Sequence, residues 1–125
     1  MPEVNNPVFE VEEIRESMVI KAFQDVDLAR YADIHEEMNV INSLIRRERP
    51  ARVVIDLSPA RYLSSVTITA LVRIAREAKA CRSQVRLSSG CETVVDILET
   101  MNLTSMWPHF ETVEAAIDDC LTREL

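Results

Sequence analysis

This sequence predicts an α/β domain with a mixed, mostly parallel sheet of about four or five strands and about four helices, in the order β-β-α-β-α-β-α-β-α. Three observations carry the prediction. Short stretches with apolar residues at every second position alternate with longer ones in which they recur every three or four residues. After two strand-like stretches at the start, each further strand pattern is followed by a helical one, as βαβ crossovers require. The 125 residues, 47% hydrophobic and 28% charged, suffice for one core, and no Pro/Gly-rich linker, repeat or low-complexity tract divides them.

Residues 1–7 (MPEVNNP) are expected to form a loose arm, with the domain occupying 8–125. Residues 8–12 alternate in polarity, IRES supplies a polar turn, and residues 18–23 make a second β-like run, so the domain opens on an antiparallel hairpin. From Leu28 the period changes. Ile34, Met38, Ile41 and Ile45 share one helical face, with Asp33, Glu36, Glu37, Asn42 and Arg46 on the other, and the helix ends before Pro50. VVIDL (53–57) is a β-branched run between Pro50 and Pro59 and reads as a buried strand. From Ser64 the helical period returns, with Ile68, Leu71, Val72, Ala75 and Ala78 on one face. QVRLS (84–88) alternates like a strand, the lone Gly90 follows, and Val94, Ile97, Leu98 and Met101 mark a further helix. MWPHF (106–110) makes a weak last strand, because Pro108 permits only an edge or distorted one. Val113, Ala116, Ile117, Cys120 and Leu121 then follow helical spacing, with Thr112 placed as the cap.

Composition removes several function classes. The formal net charge of -7 argues against nucleic-acid binding, which needs a basic footprint to neutralise phosphates. No apolar stretch approaches the ~18 residues that span a bilayer, so direct membrane insertion is not expected. The acidic start MPEVNNPVFEVEE lacks the basic and apolar regions of a secretory signal, and a cytoplasmic protein is expected. A single glycine rules out a Walker loop and a dinucleotide fingerprint, which need several for close backbone approach to phosphate. Cys81, Cys91 and Cys120 form no CxxC pair and suit free thiols in a reducing compartment. His35 and His109 lack ligand-like neighbours, so neither a metal nor a cofactor is expected. With no catalytic constellation either, the expectation is a binding protein and not an enzyme.

Ser64 and Ser65 stand where a strand passes through a polar turn into a helix. The first amides of a helix lack intrahelical partners, so Ser64 reads as an N-cap. It also reads as a hydroxyl offered to a partner. The two readings are compatible, because the same amides and the positive end of the helix dipole accept a phosphate. Arg61 is near enough in sequence to add a charge-assisted contact. Asp27, in the loop after the second strand, is a candidate for partner contact or for stabilising a helix N-terminus. Asp56 reads as a structural acceptor, since a buried carboxylate must be paired. Cys91, near a helix start, reads either as a reactive thiol or as a small residue at a helix entrance.

This order of elements, with four segments in sequence, resembles the STAS domain family, the sulfate transporter and anti-sigma factor antagonist domains. The likeness covers roughly residues 8–122. DVD (25–27) is similar to the family's Gly-Glu-Leu-Asp, with Asp27 at the final Asp. VVIDLS (53–58) resembles its strand ending in Asp-Leu-Ser. YLSSVTITAL (62–71) sits where the family has Asp-Ser-Ser-Gly-Leu-Gly, and DILETMNLTSMW (96–107) resembles its Leu-x-x-x-Gly-Leu helix end. The resemblance implies a protein-binding module of the anti-sigma factor antagonist type. Its partner would be an anti-sigma factor that is also a serine kinase of the histidine-kinase-like ATPase type, bringing its own ATP. It makes Ser64 the phosphoacceptor, with Ser65 the next candidate, and places Asp27, Arg61, Leu63, Ser64, Ser65 and Val66 at the partner surface. The chain departs from the pattern at Leu63, where the family has Asp, and at Val66 and Ile68, where it has glycines; Gln24 and Asn102 replace two further glycines. Asn102 is compatible with the left-handed conformation that ends helices. β-branched side chains at 66 and 68 add bulk where a kinase would approach. These departures keep a second reading open, a cytoplasmic STAS subunit of an anion or lipid ABC transport system.

Overall fold

The computed structural model describes residues 9–23 and 31–124, the side chains of 31–33 excepted. Phe9–Ile14 (β1) and Ser17–Ala22 (β2) pair antiparallel, with Ile14 opposite Ser17. Arg15 and Glu16 alone lie between them, and both take positive φ, 50° and 62°, as a two-residue hairpin of the matching twist demands. The elements that follow are α1 (Tyr31–Glu48), β3 (Arg52–Asp56), α2 (Ser65–Ala80), β4 (Gln84–Ser88), α3 (Glu92–Thr100), β5 (His109–Phe110) and α4 (Val113–Arg123). The expected order is the observed one.

The five strands lie in sequence order, β1-β2-β3-β4-β5, and every pair after the hairpin is parallel. This order decides the layers. Right-handed crossovers that always step in the same direction leave their helices on one face. Residues of α1, α2 and α3 accordingly share a single core with Ile20, Val53, Ile55, Val85 and Leu87. The opposite face would be bare without α4, whose Val113, Ala116 and Ile117 pack on Val19 and Val54.

Two boundaries move by more than one residue. β1 runs on to Ile14, because its pairing with β2 continues to the turn. The strand expected over 106–110 contracts to His109–Phe110. Asn102 adopts φ 59°, in the left-handed region expected of it, and Leu103–Ser105 form one 3-10 turn. Trp107 is then used as a core side chain instead of a strand residue. Pro108 offers no amide, yet its carbonyl accepts from Leu87 N at 2.8 Å, which starts the ladder to β5. The expected arm, 1–7, and the helix start at Leu28 lie outside the described residues.

Candidate functional site

In a parallel sheet the strand ends and the following helix starts gather at one edge. Here that edge collects the N-termini of α2, α3 and α4. Asp56 closes β3; it is buried, and its Oδ1 accepts from Ser58 N at 3.0 Å, the structural acceptor role its sequence position suggested. Leu57, Ala60 and Leu63 then turn inward and are almost wholly buried, pinning the connecting loop at three points. Between the pins, Ser58, Arg61 and Tyr62 face outward, Tyr62 with 61% of its surface exposed.

Ser64 ends this loop in extended backbone, φ -74° and ψ 161°. Its Oγ accepts from Thr67 N at 3.2 Å and lies 3.1 Å from Thr67 Oγ1, while its carbonyl accepts from Ile68 N at 2.9 Å. Ser64 is therefore the N-cap of α2, half-buried, with its hydroxyl engaged by the helix it starts. Ser65, the first helical residue, is exposed. The family resemblance places Leu63 at the partner surface; the fold puts it in the core, 2% exposed, so its side chain is unavailable to a partner. Ile68 is also buried, which removes the expected steric obstacle at that position, and Val66 is half-buried against the core. Arg61 is exposed and keeps its place near the serines; Asp27 lies outside the described residues.

Beside the serines runs a groove of about 160 Å³ between α1 and α2, lined by Ile34, His35 and Met38 on one side and Ser65, Thr69 and Arg73 on the other. The third element at this edge is the start of α3. Cys91 caps it without a side-chain cap bond; its exposed Sγ lies instead 3.5 Å from the Arg61 carbonyl. Cys91 is thus a small residue at a helix entrance, tied to the loop that carries Tyr62. Thr112 caps α4 in the ordinary way, its Oγ1 accepting from Ala115 N at 3.0 Å. Hydroxyls, an exposed aromatic ring, basic side chains and helix N-termini can recognise a protein surface and tolerate a phosphate. Among the described residues no three His, Cys, Asp or Glu side chains are grouped to hold a metal ion.

A family model for the STAS domain matches residues 8–116. The chain belongs to the STAS domain family. Solved structures agree with the fold. This STAS domain superposes on an anti-sigma-factor antagonist (STAS) domain protein of Planctomyces limnophilus with a TM-score of 0.75 at 20% identity, covering 90% of this chain and 97% of that one. It matches an anti-sigma factor antagonist of Mycobacterium paratuberculosis with a TM-score of 0.69 at 19% identity, over 92% and 91% of the two chains. The Bacillus cell fate determinant SpoIIAA in its phosphorylated form matches with a TM-score of 0.67 at 20% identity, over 89% and 97%.

The sequence singles out the two serines at the start of α2 and not the surfaces beside them. Tyr62 is turned outward by the inward pins at Ala60 and Leu63. His35 and Arg73 belong to different helices, and no local pattern announces that they line one groove with Ser65. The helical period at Ile34 and Met38 was the one available signal for the groove's wall.

Proposed function

We propose that this STAS domain is a regulatory protein-binding module of the anti-sigma factor antagonist type, whose docking surface is the Arg61–Val66 turn and the adjoining groove. Its partner is an anti-sigma factor that acts as a serine kinase of the histidine-kinase-like ATPase type, and Ser64 is the phosphoacceptor. The observation that carries this reading is the placement of the two serines at the open N-terminus of α2, Ser65 exposed and Ser64 half-buried. Family membership and the names of the structural neighbours support it.

The chemistry follows from the cap. A phosphate on Ser64 brings roughly -1.5 to -2 charges, and its oxygens can take over the bond from Thr67 N that the hydroxyl now accepts. The isolated fold is then preserved. A docked partner, in contrast, would have to desolvate that charge on a chain whose formal net charge is already -7. Phosphorylation switches the affinity and leaves the shape.

Recovery of proteins bound to the chain in its native host tests the partner class. A histidine-kinase-like ATPase is expected; an ABC ATPase or permease would replace this reading with the transport-subunit one. Ser64→Ala should keep partner affinity while lowering stability by about 1 kcal/mol, the worth of a lost cap. Ser64→Glu should weaken partner binding by at least about tenfold. Equal affinities for the two variants would refute the electrostatic switch. Phosphate found by mass spectrometry at Ser65 alone would move the acceptor by one residue.

A further inference from the structure

We propose that the outer edge of β1, with the groove it forms against the end of α1, docks an extended basic peptide segment of a partner, which joins the sheet as an added strand. The surface lies away from the Ser64 turn, toward the opposite end of the sheet, and the inference does not rest on the function proposed above.

β1 is an edge strand. Because the hairpin closes on the pair Ile14 and Ser17, residues 10, 12 and 14 exchange backbone bonds with β2, whereas Phe9, Val11 and Glu13 turn their N–H and C=O groups outward. The first outward amide is covered: Phe9 N donates to Glu37 Oε1 of α1 at 3.0 Å. Farther along, no described residue bonds to the outward groups of Val11 and Glu13. They are a template of the kind that strand addition uses.

The chemistry beside this template selects the occupant. A groove of about 390 Å³ runs along it, with Val11, Met18 and Leu44 for apolar walls and Glu13, Glu16 and Glu48 for charge. Val11 is 37% exposed, and Val40, 67% exposed, continues the apolar strip beyond Leu44. Of the nearby cations, Lys21 pairs with Glu12 at 3.2 Å, Arg47 with Glu48 at 3.6 Å and Arg15 with Asp118 at 3.0 Å, and Glu13 and Glu16 take part in none of the described ion pairs. A segment alternating apolar with Lys or Arg residues complements this surface, since successive side chains of an added strand fall on opposite faces, the apolar ones beside Val11, Met18 and Leu44 and the basic ones beside Glu10 and Glu12. A second copy of the chain does not. Antiparallel pairing of two β1 strands about Val11 sets Glu10 opposite Glu12 twice, and like charges directly opposed destabilise a sheet.

The test uses the full chain and three labelled peptides, one alternating Lys and Val, one alternating Glu and Val, and one Lys/Val peptide interrupted by prolines, read by fluorescence anisotropy. The Lys/Val peptide should bind at least about tenfold more tightly than either other, and more weakly at high salt. Val11→Pro should abolish this binding without unfolding the domain, because the Val11 amide serves no bond of the β1–β2 ladder. If that variant does not fold, the pair Glu10→Lys and Glu12→Lys decides, by reversing the preference toward the Glu/Val peptide. Ser64→Glu should leave peptide binding unchanged. Equal affinity for all three peptides, no binding, or indifference to both sets of substitutions overturns the proposal. Self-association of the unmodified chain that Val11→Pro removes would also overturn it, making a second copy the occupant.

Discussion

On one face of the sheet, α1, α2 and α3 close over six apolar strand side chains, Met18, Ile20, Val53, Ile55, Val85 and Leu87. On the other, α4 supplies a smaller apolar patch around Val19 and Val54, and charged side chains complete the seal. Arg52, buried at the start of β3, donates from Nε to Ser17 Oγ at 2.9 Å and from NH1 to both carboxylate oxygens of Glu124 at 3.0 Å. Its NH2 reaches the Glu16 carbonyl at 3.2 Å, so one guanidinium joins the hairpin turn to β3 and the end of α4. Arg86 repeats the device on β4, with Nε 2.8 Å from Asp119 Oδ2 and NH2 3.0 Å from Gln84 Oε1. Three crossover helices cover the first face because topology sends them there. A single helix must cover the second, and long, rigid donor forks reach where its apolar stripe cannot.

If that contrast is right, truncations on the two faces should differ in size and in kind. Ile55→Ala, in the dry core, should cost about 4 kcal/mol in denaturant unfolding, the sum of lost transfer energy and an uncollapsed cavity. Arg52→Ala should cost less, about 2 kcal/mol, because Glu124 keeps 36% of its side chain in solvent and rehydrates when released. A loss at Arg52 equal to that at Ile55 would mean that the ionic face is as dry as the apolar one.

The smallest expected effect is alkaline. Cys120 lies on the buried side of α4, and burial raises its thiol pKa above that of an ordinary thiol, opposed in part by Arg86. A raised folded-state pKa means that the neutral thiol is the form the fold accepts. Stability is therefore complete below the ordinary thiol pKa and declines as pH rises through and above it. Thermal unfolding followed from neutral to alkaline pH should show this decline, and Cys120→Ala should flatten it at some cost in stability. In the native protein a thiol reagent should label Cys91, which is exposed, and leave Cys120 unmodified until unfolding. Rapid native labelling of Cys120 would show that α4 opens easily, and would weaken the comparison between faces.

Residues that act over a few positions were legible in the sequence. Ser64 and Thr112 cap because each hydroxyl meets an amide three residues on, and Asn102 accepts the left-handed backbone for its own local reasons. Asp56 was readable as an acceptor because a buried carboxylate must be paired, and its partner amide lies only two residues away. Leu63, which the family resemblance sets at the partner surface, is buried because the loop uses an apolar pin there.

The sequence by itself settled the alternation of strands and helices, their caps and the class of sheet, since period and capping depend on neighbours within about one helical turn. Tertiary structure alone decided that Arg52 would be a buried junction, that His35 and Arg73 would share a groove, and that the Val11 edge would stand open. Ser17 lies 35 residues before Arg52 and Glu124 lies 72 after it. Contacts over such separations leave no periodic trace in the chain, because they form only when the order of strands brings distant side chains to one face.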